Sequence, residues 1–383
     1  MSTASSTARV TDTKLLEPLS LARPARIEYG VGKSSRLAEY VPDWSARRIL
    51  VVADAFNAAR ADVLKLPSSH LVFPEAKPEP DLPNLERLLT VARSFDPDLI
   101  IGFGGGSAMD LAKLTAVLLE SDKAFEEIVG LERADPRRCL LVALPTTAGT
   151  GSEVGTRALV LDPVSRAKLA VDSRHMVPDI ALIDPILTAS LPPSVTAATG
   201  IDALAHCVEA FTSRRSHPVI DLYAREGISL VGRYLNRAVA DGDDVEARAG
   251  LAMAALYGGL CLGPVNTTAG HALSYPLSTR YDVPHGLANA LIFPHALAFN
   301  EAAQPQKTRL VSELLGLAGN DILSESYSYC EGMGVEMRMS ALGVPPDALA
   351  SMATEAHGIR RLLDYNPREM SVGDIVEIYR AAF

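Results

Sequence analysis

Asp202 and His206 stand four residues apart in TGIDALAHCVEAF (199–211), a stretch whose pattern predicts a helix. At that spacing both side chains leave the same helix face one turn apart, which suits a chelate. Farther on, AGHALSYPLSTRYDVPHGLANAL (269–291) supplies His271 and, in a Pro-His-Gly break, His285. One carboxylate with three imidazoles is a donor set for Fe²⁺ or Zn²⁺, whereas Ca²⁺ and Mg²⁺ prefer oxygens. Against a divalent ion this set leaves one net positive charge. An ion so held, with a coordination position open, acidifies an alcohol and favours hydride departure from its carbon. The competing reading is that an Asp/His pair at helical spacing is a surface or capping feature, in a chain with eight histidines. His70, His175, His217 and His357 have no partner at ligand spacing and read as structural, and His295, beside Pro294, reads as core.

A second chemical feature is the run IIGFGGGSAMDLAK (100–113), an apolar strand leading through Gly104, Gly105, Gly106 and Ser107 into a helix. Glycines let the backbone approach an anion closely, and the free N–H groups of a helix start face phosphate oxygens. Ser107 is placed to cap that helix. As a dinucleotide fingerprint the run is imperfect, since Gly102-x-Gly104-x-x-Ser107 ends in Ser and lies far from the first strand. A tight turn with no ligand is the alternative. The run ALPTTAGTGSEVG (143–155) leaves another strand through Thr146, Thr147, Thr150 and Ser152, hydroxyls suited to amide or ribose contacts. Two such loops at the ends of neighbouring parallel strands define one crevice. Asp54, ending RILVVAD (48–54), can accept hydrogen bonds from ribose hydroxyls and would repel a 2′-phosphate, favouring NAD over NADP; it can equally cap the next helix.

These residues need a scaffold, and the pattern supplies one. From about Arg48 to Pro185, short β-branched or apolar runs alternate with amphipathic stretches, as in parallel strands joined by helices. The strand candidates are 48–54, 70–73, 98–103, 139–145, 157–161 and 179–184, with helices expected over 83–95 and 107–120. After Pro185 the runs become Ala- and Leu-rich, broken at 192–195, 213–218, 241–244 and 343–347, so the second half reads as helical. The expected fold class is an α/β dinucleotide-binding domain with a mainly parallel sheet (1–188, its first 20 residues a loose tail), followed by an all-α domain (189–383) that carries the metal candidates.

Composition narrows the partners. A length of 383 residues favours two cores over one. A net charge of −10 repels a phosphate backbone, so nucleic acid is not expected. Cys139, Cys207, Cys261 and Cys330 form no C-x-x-C pair or disulfide framework, which fits a reducing cytoplasm. No apolar run of membrane-spanning length and no secretory signal is read from the sequence.

With these motifs in place, the chain resembles the iron-containing (group III) alcohol dehydrogenases of the dehydroquinate synthase-like superfamily. The resemblance rests on GGGSAMDLAK (104–113), PTTAGTGSEV (145–154), the lysine of AKLAVDS (167–173), PDIALIDPILT (178–188), GIDALAHCVEAF (200–211) and PHGLANAL (284–291). It implies an N-terminal nicotinamide domain, a C-terminal helical metal domain and a cleft between them. It also implies that Asp202, His206, His271 and His285 are the metal ligands, and that Gly104, Gly105, Gly106 and Ser107 cradle the pyrophosphate. Asp110, Thr146, Thr147, Ser152 and Lys168 then fall among the cofactor contacts, Asp54 marks an NAD preference, and a homodimer is expected. One position departs: where many members carry a further histidine, four residues after the third ligand, this chain has Tyr275. With an ordinary pKa near 10, tyrosine is a poor base at neutral pH without help. HALSYP also resembles a stretch of the hydroxyacid-oxoacid transhydrogenases, so small hydroxy acids join simple alcohols as expected substrates, with Arg280 or Arg157 as candidate cations for a carboxylate; a solvated loop charge or a salt-bridge partner is the commoner fate of an arginine and the alternative for either.

The function expected is reversible oxidation of a small alcohol or hydroxy acid by NAD, with Fe²⁺ or Zn²⁺ and with Tyr275, a ribose hydroxyl or water taking the proton. A maleylacetate reductase-like enzyme is disfavoured because Asp202 is retained. A dehydroquinate synthase-type lyase is disfavoured because no Lys/Arg cluster lies near the metal motifs. A non-catalytic sensor is disfavoured by the intact ligand positions, and a filament subunit by the lack of a fused domain.

Overall fold

The computed structural model describes residues 13–383. Most of the expected loose tail lies outside the described residues. Its last part is tied down, since Lys14 Nζ donates to the Arg214 carbonyl at 2.8 Å and Leu19 packs on the helical core.

Among the described residues nine strands form two sheets: β1 (Arg26–Tyr29), β2 (Ile49–Val52), β3 (His70–Phe73), β4 (Leu99–Gly104), β5 (Gly130–Leu131), β6 (Leu140–Pro145), β7 (Arg157–Asp162), β8 (Ala167–Asp172) and β9 (Ile180–Ile183). Six of them make a parallel sheet in the order β1-β9-β6-β4-β2-β3. The continuous apolar runs of β2 and β4 are buried along their whole length, as a sheet covered on both faces requires. Register places Val52 opposite Gly102 and Gly104 opposite Pro145, so the chain leaves β2, β4 and β6 along one edge. That edge receives Asp54 and both glycine-rich loops.

The main sheet is parallel as expected, but the strand candidate at 157–161 lies outside it. This segment is β7, which pairs antiparallel with β8, a strand absent from the sequence reading, in a second sheet ordered β5-β8-β7. Four residues join β7 to β8, enough for a hairpin and far too few for a parallel crossover. Pairing of Leu161 with Lys168 sets the Lys168 side chain beside Glu79.

From residue 185 onward no strand occurs among the described residues. The helices Pro193–Thr212, Pro218–Ala240 and Val245–Val265 pack together, followed by Ala269–Tyr281 and His285–Glu301. Proline opens the first two, where its missing N–H costs nothing, and Asp244 caps the third by accepting from Ala247 N at 3.0 Å. Contrary to the sequence reading, Val245–Val265 is long and apolar enough to cross a membrane, but most of it is buried inside the protein as a core helix. Its Gly259 meets Gly151 so closely that a Cβ on Gly259 would stand 2.3 Å from the Gly151 carbonyl oxygen. This contact locks the helical half onto the loop after β6.

Candidate active site

The helix Pro193–Thr212 carries Asp202 and His206 on its buried face, as their spacing predicts. His271 comes from Ala269–Tyr281 and His285 is the first residue of His285–Glu301. Asp202 Oδ1 lies 3.5 Å from His271 Nε2, 3.7 Å from His285 Nε2 and 3.8 Å from His206 Nε2. The ligand atoms of Asp202, His271 and His285 all lie within 4.8 Å of one another, and His206 Nε2 joins them 2.9 Å from His271 Nε2.

The sequence reading missed the residues that hold this cluster. Glu209, one turn beyond His206 and buried, accepts from His271 Nδ1 at 2.9 Å and from the Thr268 backbone N–H. Its carboxylate occupies the space where a Cβ on Gly270 would stand, 2.4 Å from Oε1, so only glycine fits before His271. Asn289, one turn beyond His285, directs Nδ2 to Asp202 Oδ1 at 2.6 Å and lies 3.0 and 3.2 Å from the Nε2 atoms of His271 and His285. Its Oδ1 is buried without a partner among the described residues. The only sequence signals were a glutamate three residues after His206 and an asparagine four after His285, each on a ligand's own helix face.

A divalent cation fits this donor set. Glu209 holds the proton of His271 on Nδ1, which turns the Nε2 lone pair toward Asp202 and His206, and two such nitrogens 2.9 Å apart need a proton or a metal between them. The charges agree. Burial opposes ionisation of Asp202, but the imidazoles of His206, His285 and His271 outweigh it and hold the carboxyl far below its usual range. Burial likewise disfavours the His271 imidazolium, yet Glu209 and Asp202 raise it to about 10, so the cluster draws in positive charge. His285 is pushed down to about 4 by burial and by Lys168, and burial lowers His206, leaving both neutral as ligands must be.

The cluster opens into a cleft between the two halves, with an empty volume of about 1050 Å³, its open mouth included. His206, His271, Tyr275 and His285 line one side, and Gly106, Ser107, Asp110, Ser152 and Lys168 the other. Gly104, Gly105, Thr146, Thr147 and Asp54 are not in that lining and lie farther along the sheet edge. Gly106 begins the helix Gly106–Leu118, and the expected cap is corrected: the N-cap is Gly105, Ser107 sits inside the first turn, and no side chain caps this helix. Its N–H groups stay available to an anion. A Cβ on Gly106 would stand 2.7 Å from Thr150 Cγ2, so the two loops touch as the shared-crevice reading requires. Thr146 N donates to the Gly104 carbonyl at 2.9 Å.

Asp54 takes the capping alternative: it caps Ala55–Ala59 by accepting from Asn57 N at 3.0 Å and from Asn57 Nδ2 at 2.5 Å, and its Oδ2 would lie 3.4 Å from a Cβ on Gly104. Asp110 ties the loops to β7, accepting from Ser152 Oγ at 2.6 Å and Leu159 N at 2.9 Å. Beneath it Lys113, fully buried and unassigned from sequence, donates to Ser152 Oγ at 2.7 Å and to the Arg157 carbonyl.

The candidate substrate cations fare differently. Arg280 takes the salt-bridge alternative: it forms an ion pair with Glu355 at 2.6 Å, bonds Ser351, and is not among the cleft-lining residues. Arg157 lines the cleft, but its guanidinium is held by Asp172 at 2.6 Å and Asn266 at 2.6 Å. Tyr275 is buried, with Lys168 Nζ 5.1 Å and Arg361 Cζ 5.5 Å from its ring centroid. Burial would raise its pKa, but Arg361, His271 and Lys168 outweigh this and lower it, supplying the help that a tyrosine needs.

Two family models cover the chain: one described as iron-containing alcohol dehydrogenase over residues 24–185, and one described as the C-terminal part of the Fe-containing alcohol dehydrogenase family over 196–383. Long-chain-alcohol dehydrogenase 1 of Geobacillus thermodenitrificans (strain NG80-2) is 36% identical, over 95% of this chain and 98% of that protein. The chain belongs to the iron-containing alcohol dehydrogenase family. Solved structures are close to it, an iron containing alcohol dehydrogenase among them with a TM-score of 0.85 at 28% identity. A 1,3-propanediol oxidoreductase superposes with a TM-score of 0.88 at 29% identity, over 96% of this chain and all of that one. Sulfoacetaldehyde reductase from Bifidobacterium kashiwanohense, in complex with NAD⁺, gives 0.85 at 27% identity, over 96% and 99%. The parallel sheet followed by helices is therefore the fold of the iron-containing alcohol dehydrogenases.

Proposed function

We propose that this chain is a metal-dependent, NAD-linked oxidoreductase that interconverts a small alcohol or hydroxy acid with its aldehyde or oxo acid. The observation that carries the reading is one cleft bearing, on facing walls, a converging Asp202/His206/His271/His285 set and an uncapped helix start at Gly106 and Ser107. A sulfoacetaldehyde reductase bound to NAD⁺ and a 1,3-propanediol oxidoreductase among the structural neighbours support the nicotinamide and the substrate class.

Asp202, His206, His271 and His285 would hold Fe²⁺ or Zn²⁺, with Glu209 orienting His271. The ion would polarise the reacting alcohol or carbonyl oxygen and so favour hydride exchange with the nicotinamide. Gly104, Gly105, Gly106 and Ser107 would present backbone N–H groups to the pyrophosphate. Thr146, Thr147, Ser152 and Lys168 would contact the cofactor, Asp110 would position Ser152, and Asp54 would disfavour a 2′-phosphate. Tyr275, acidified by its cationic neighbours, would carry the substrate proton between the cleft and solvent. A division near residue 188, a homodimer and a cytoplasmic location complete the proposal; the resemblance supports the first two and four buried free cysteines support the third.

The lyase alternative needs cations free to grip a phosphate. Arg157 and Lys168, which line this cleft, are tied to Asp172 and Glu79. NADH formation across an alcohol and hydroxy acid panel, with NAD and NADP and with Fe²⁺ or Zn²⁺ added, tests the reading. Metal-independent turnover at full rate, or a cyclic product without net NADH, would overturn it.

A further inference from the structure

Three residues, Asn266, Thr267 and Thr268, join the helix Val245–Val265 to the helix Ala269–Tyr281 that carries His271. The backbone of Asn266 has φ 74° and ψ 169°, a conformation that glycine adopts freely and a residue with a side chain does not, so an asparagine there has to be held by its surroundings. Its amide is held on both sides. Oδ1 accepts from Arg157 Nη1 at 2.6 Å and from the Thr267 N–H at 2.9 Å, and Nδ2 donates to the Arg361 carbonyl at 3.3 Å. Among the described residues, the bond from Arg157 is the one hydrogen bond that reaches this turn from the α/β half.

Arg157 opens β7, and its guanidinium is fixed before it reaches across. Nε and Nη2 both donate to Asp172 Oδ2, at 3.2 and 2.6 Å, which sets the plane of the fork and leaves Nη1 directed at Asn266. Asp172 Oδ1 in turn accepts from Thr156 Oγ1 at 2.7 Å, and the Arg157 carbonyl accepts from Lys113 Nζ at 3.1 Å. A short bond from a charged donor is stronger than one between neutral groups, so the grip on Asn266 is firm.

The turn leads directly to the metal candidates. Two residues past Asn266, the Thr268 N–H donates to Glu209, and the same carboxylate accepts the Nδ1 proton of His271 at 2.9 Å. Glu209 is therefore shared between the turn and His271. A turn released from Arg157 would either carry Glu209 with it or leave it, and both change how His271 is set.

We infer that Arg157 is a positioning residue for the metal site: its bond to Asn266 holds the strained turn so that Thr268 and Glu209 set His271 toward Asp202. This rests on the metal set of the reading above and adds to it a support that comes from the α/β half, across the cleft that Arg157 and Thr267 both line.

The test measures Zn²⁺ affinity of the full chain by competition with a chromogenic chelator, without nicotinamide or alcohol, so that no contact of Arg157 with either contributes. Arg157→Met and Asn266→Gly should each bind Zn²⁺ roughly tenfold more weakly than wild type, and the double variant no more weakly than the worse single, because both remove one bond. Arg157→Lys should recover part of the loss. Arg157→Met also unpairs Asp172, whereas Asn266→Gly leaves that pair intact and suits the backbone, so its metal-free melting temperature should stay near that of wild type. With Co²⁺ in place of Zn²⁺, the visible absorption of Asn266→Gly should shift as His271 is displaced. Unchanged Zn²⁺ affinity in Asn266→Gly, additive losses in the double variant, or losses that track a falling melting temperature of the metal-free chains would overturn the inference. Tight Zn²⁺ binding by wild type and Asn266→Gly alike sinks the positioning role and spares the metal reading. A wild type that binds no ion sinks both.

Discussion

Glu209 Oε1 accepts the Nδ1 proton of His271 across 62 residues of sequence, at 2.9 Å and out of reach of solvent. This one contact fixes which nitrogen of His271 faces Asp202. Glu209→Gln keeps the shape but removes the charge that makes the imidazole a strong donor. Affinity for Zn²⁺ or Fe²⁺, read by competition with a chelator, should fall ten- to a hundredfold. Unchanged affinity would show that Glu209 does not serve the metal.

Gly106 has no room for a side chain, since its Cβ would stand 2.7 Å from Thr150 Cγ2. Gly106→Ala must push the two loops apart at the edge of the sheet. The NADH dissociation constant, followed by fluorescence, should rise about tenfold with metal content unchanged. Loss of metal together with NADH affinity would instead point to a collapsed fold.

As the proposed proton carrier, Tyr275 predicts how turnover depends on pH. Its pKa is lowered because Arg361, His271 and Lys168 outweigh burial, so its basic form becomes available below the ordinary tyrosine range as pH rises. Oxidation of a neutral alcohol should therefore quicken with pH. Tyr275→Phe should lose that rising limb and, near neutral pH, about tenfold or more in kcat. A superimposable profile would move the proton to a ribose hydroxyl or water.

Glu153 makes a prediction about stability. Burial raises its carboxyl to about 7 against an ordinary 4.5, with Lys113 opposing. The folded chain thus binds a proton more tightly than the unfolded one. That stabilisation is full below about pH 4.5 and is lost as pH rises through 7. Glu153→Gln removes the titration, so its melting temperature relative to wild type should be several degrees better at pH 8 than at pH 5. An equal difference at both pH values would remove Glu153 as the cause.

The legible parts of this molecule were those written in local spacing. Asp202 and His206 were readable because a helix puts residues four apart on one face, and β2, β4, β6 and β9 because buried parallel strands read as unbroken apolar runs. What escaped depends on contacts between distant segments. β8 is only partly buried and alternates with polar residues, so no run betrayed it, and its pairing turned β7 antiparallel. Glu209 and Asn289 look like ordinary helix polar residues until the third and fourth ligands are folded against them. Arg280 was favoured for its nearness in sequence to His285, yet it turns to Glu355, while Arg361, 76 residues after His285, folds back onto Tyr275.

The central claim is that Asp202, His206, His271 and His285 hold an ion on which alcohol oxidation depends. It is tested most directly by elemental analysis of anaerobically purified protein, followed by NADH formation from the same sample before stripping, after stripping with a chelator, and after adding back Fe²⁺ or Zn²⁺. The account predicts about one ion per chain in wild type and little in His271→Ala, with NADH formation abolished by stripping and restored by the added ion. Full-rate NADH formation from metal-free protein would contradict it.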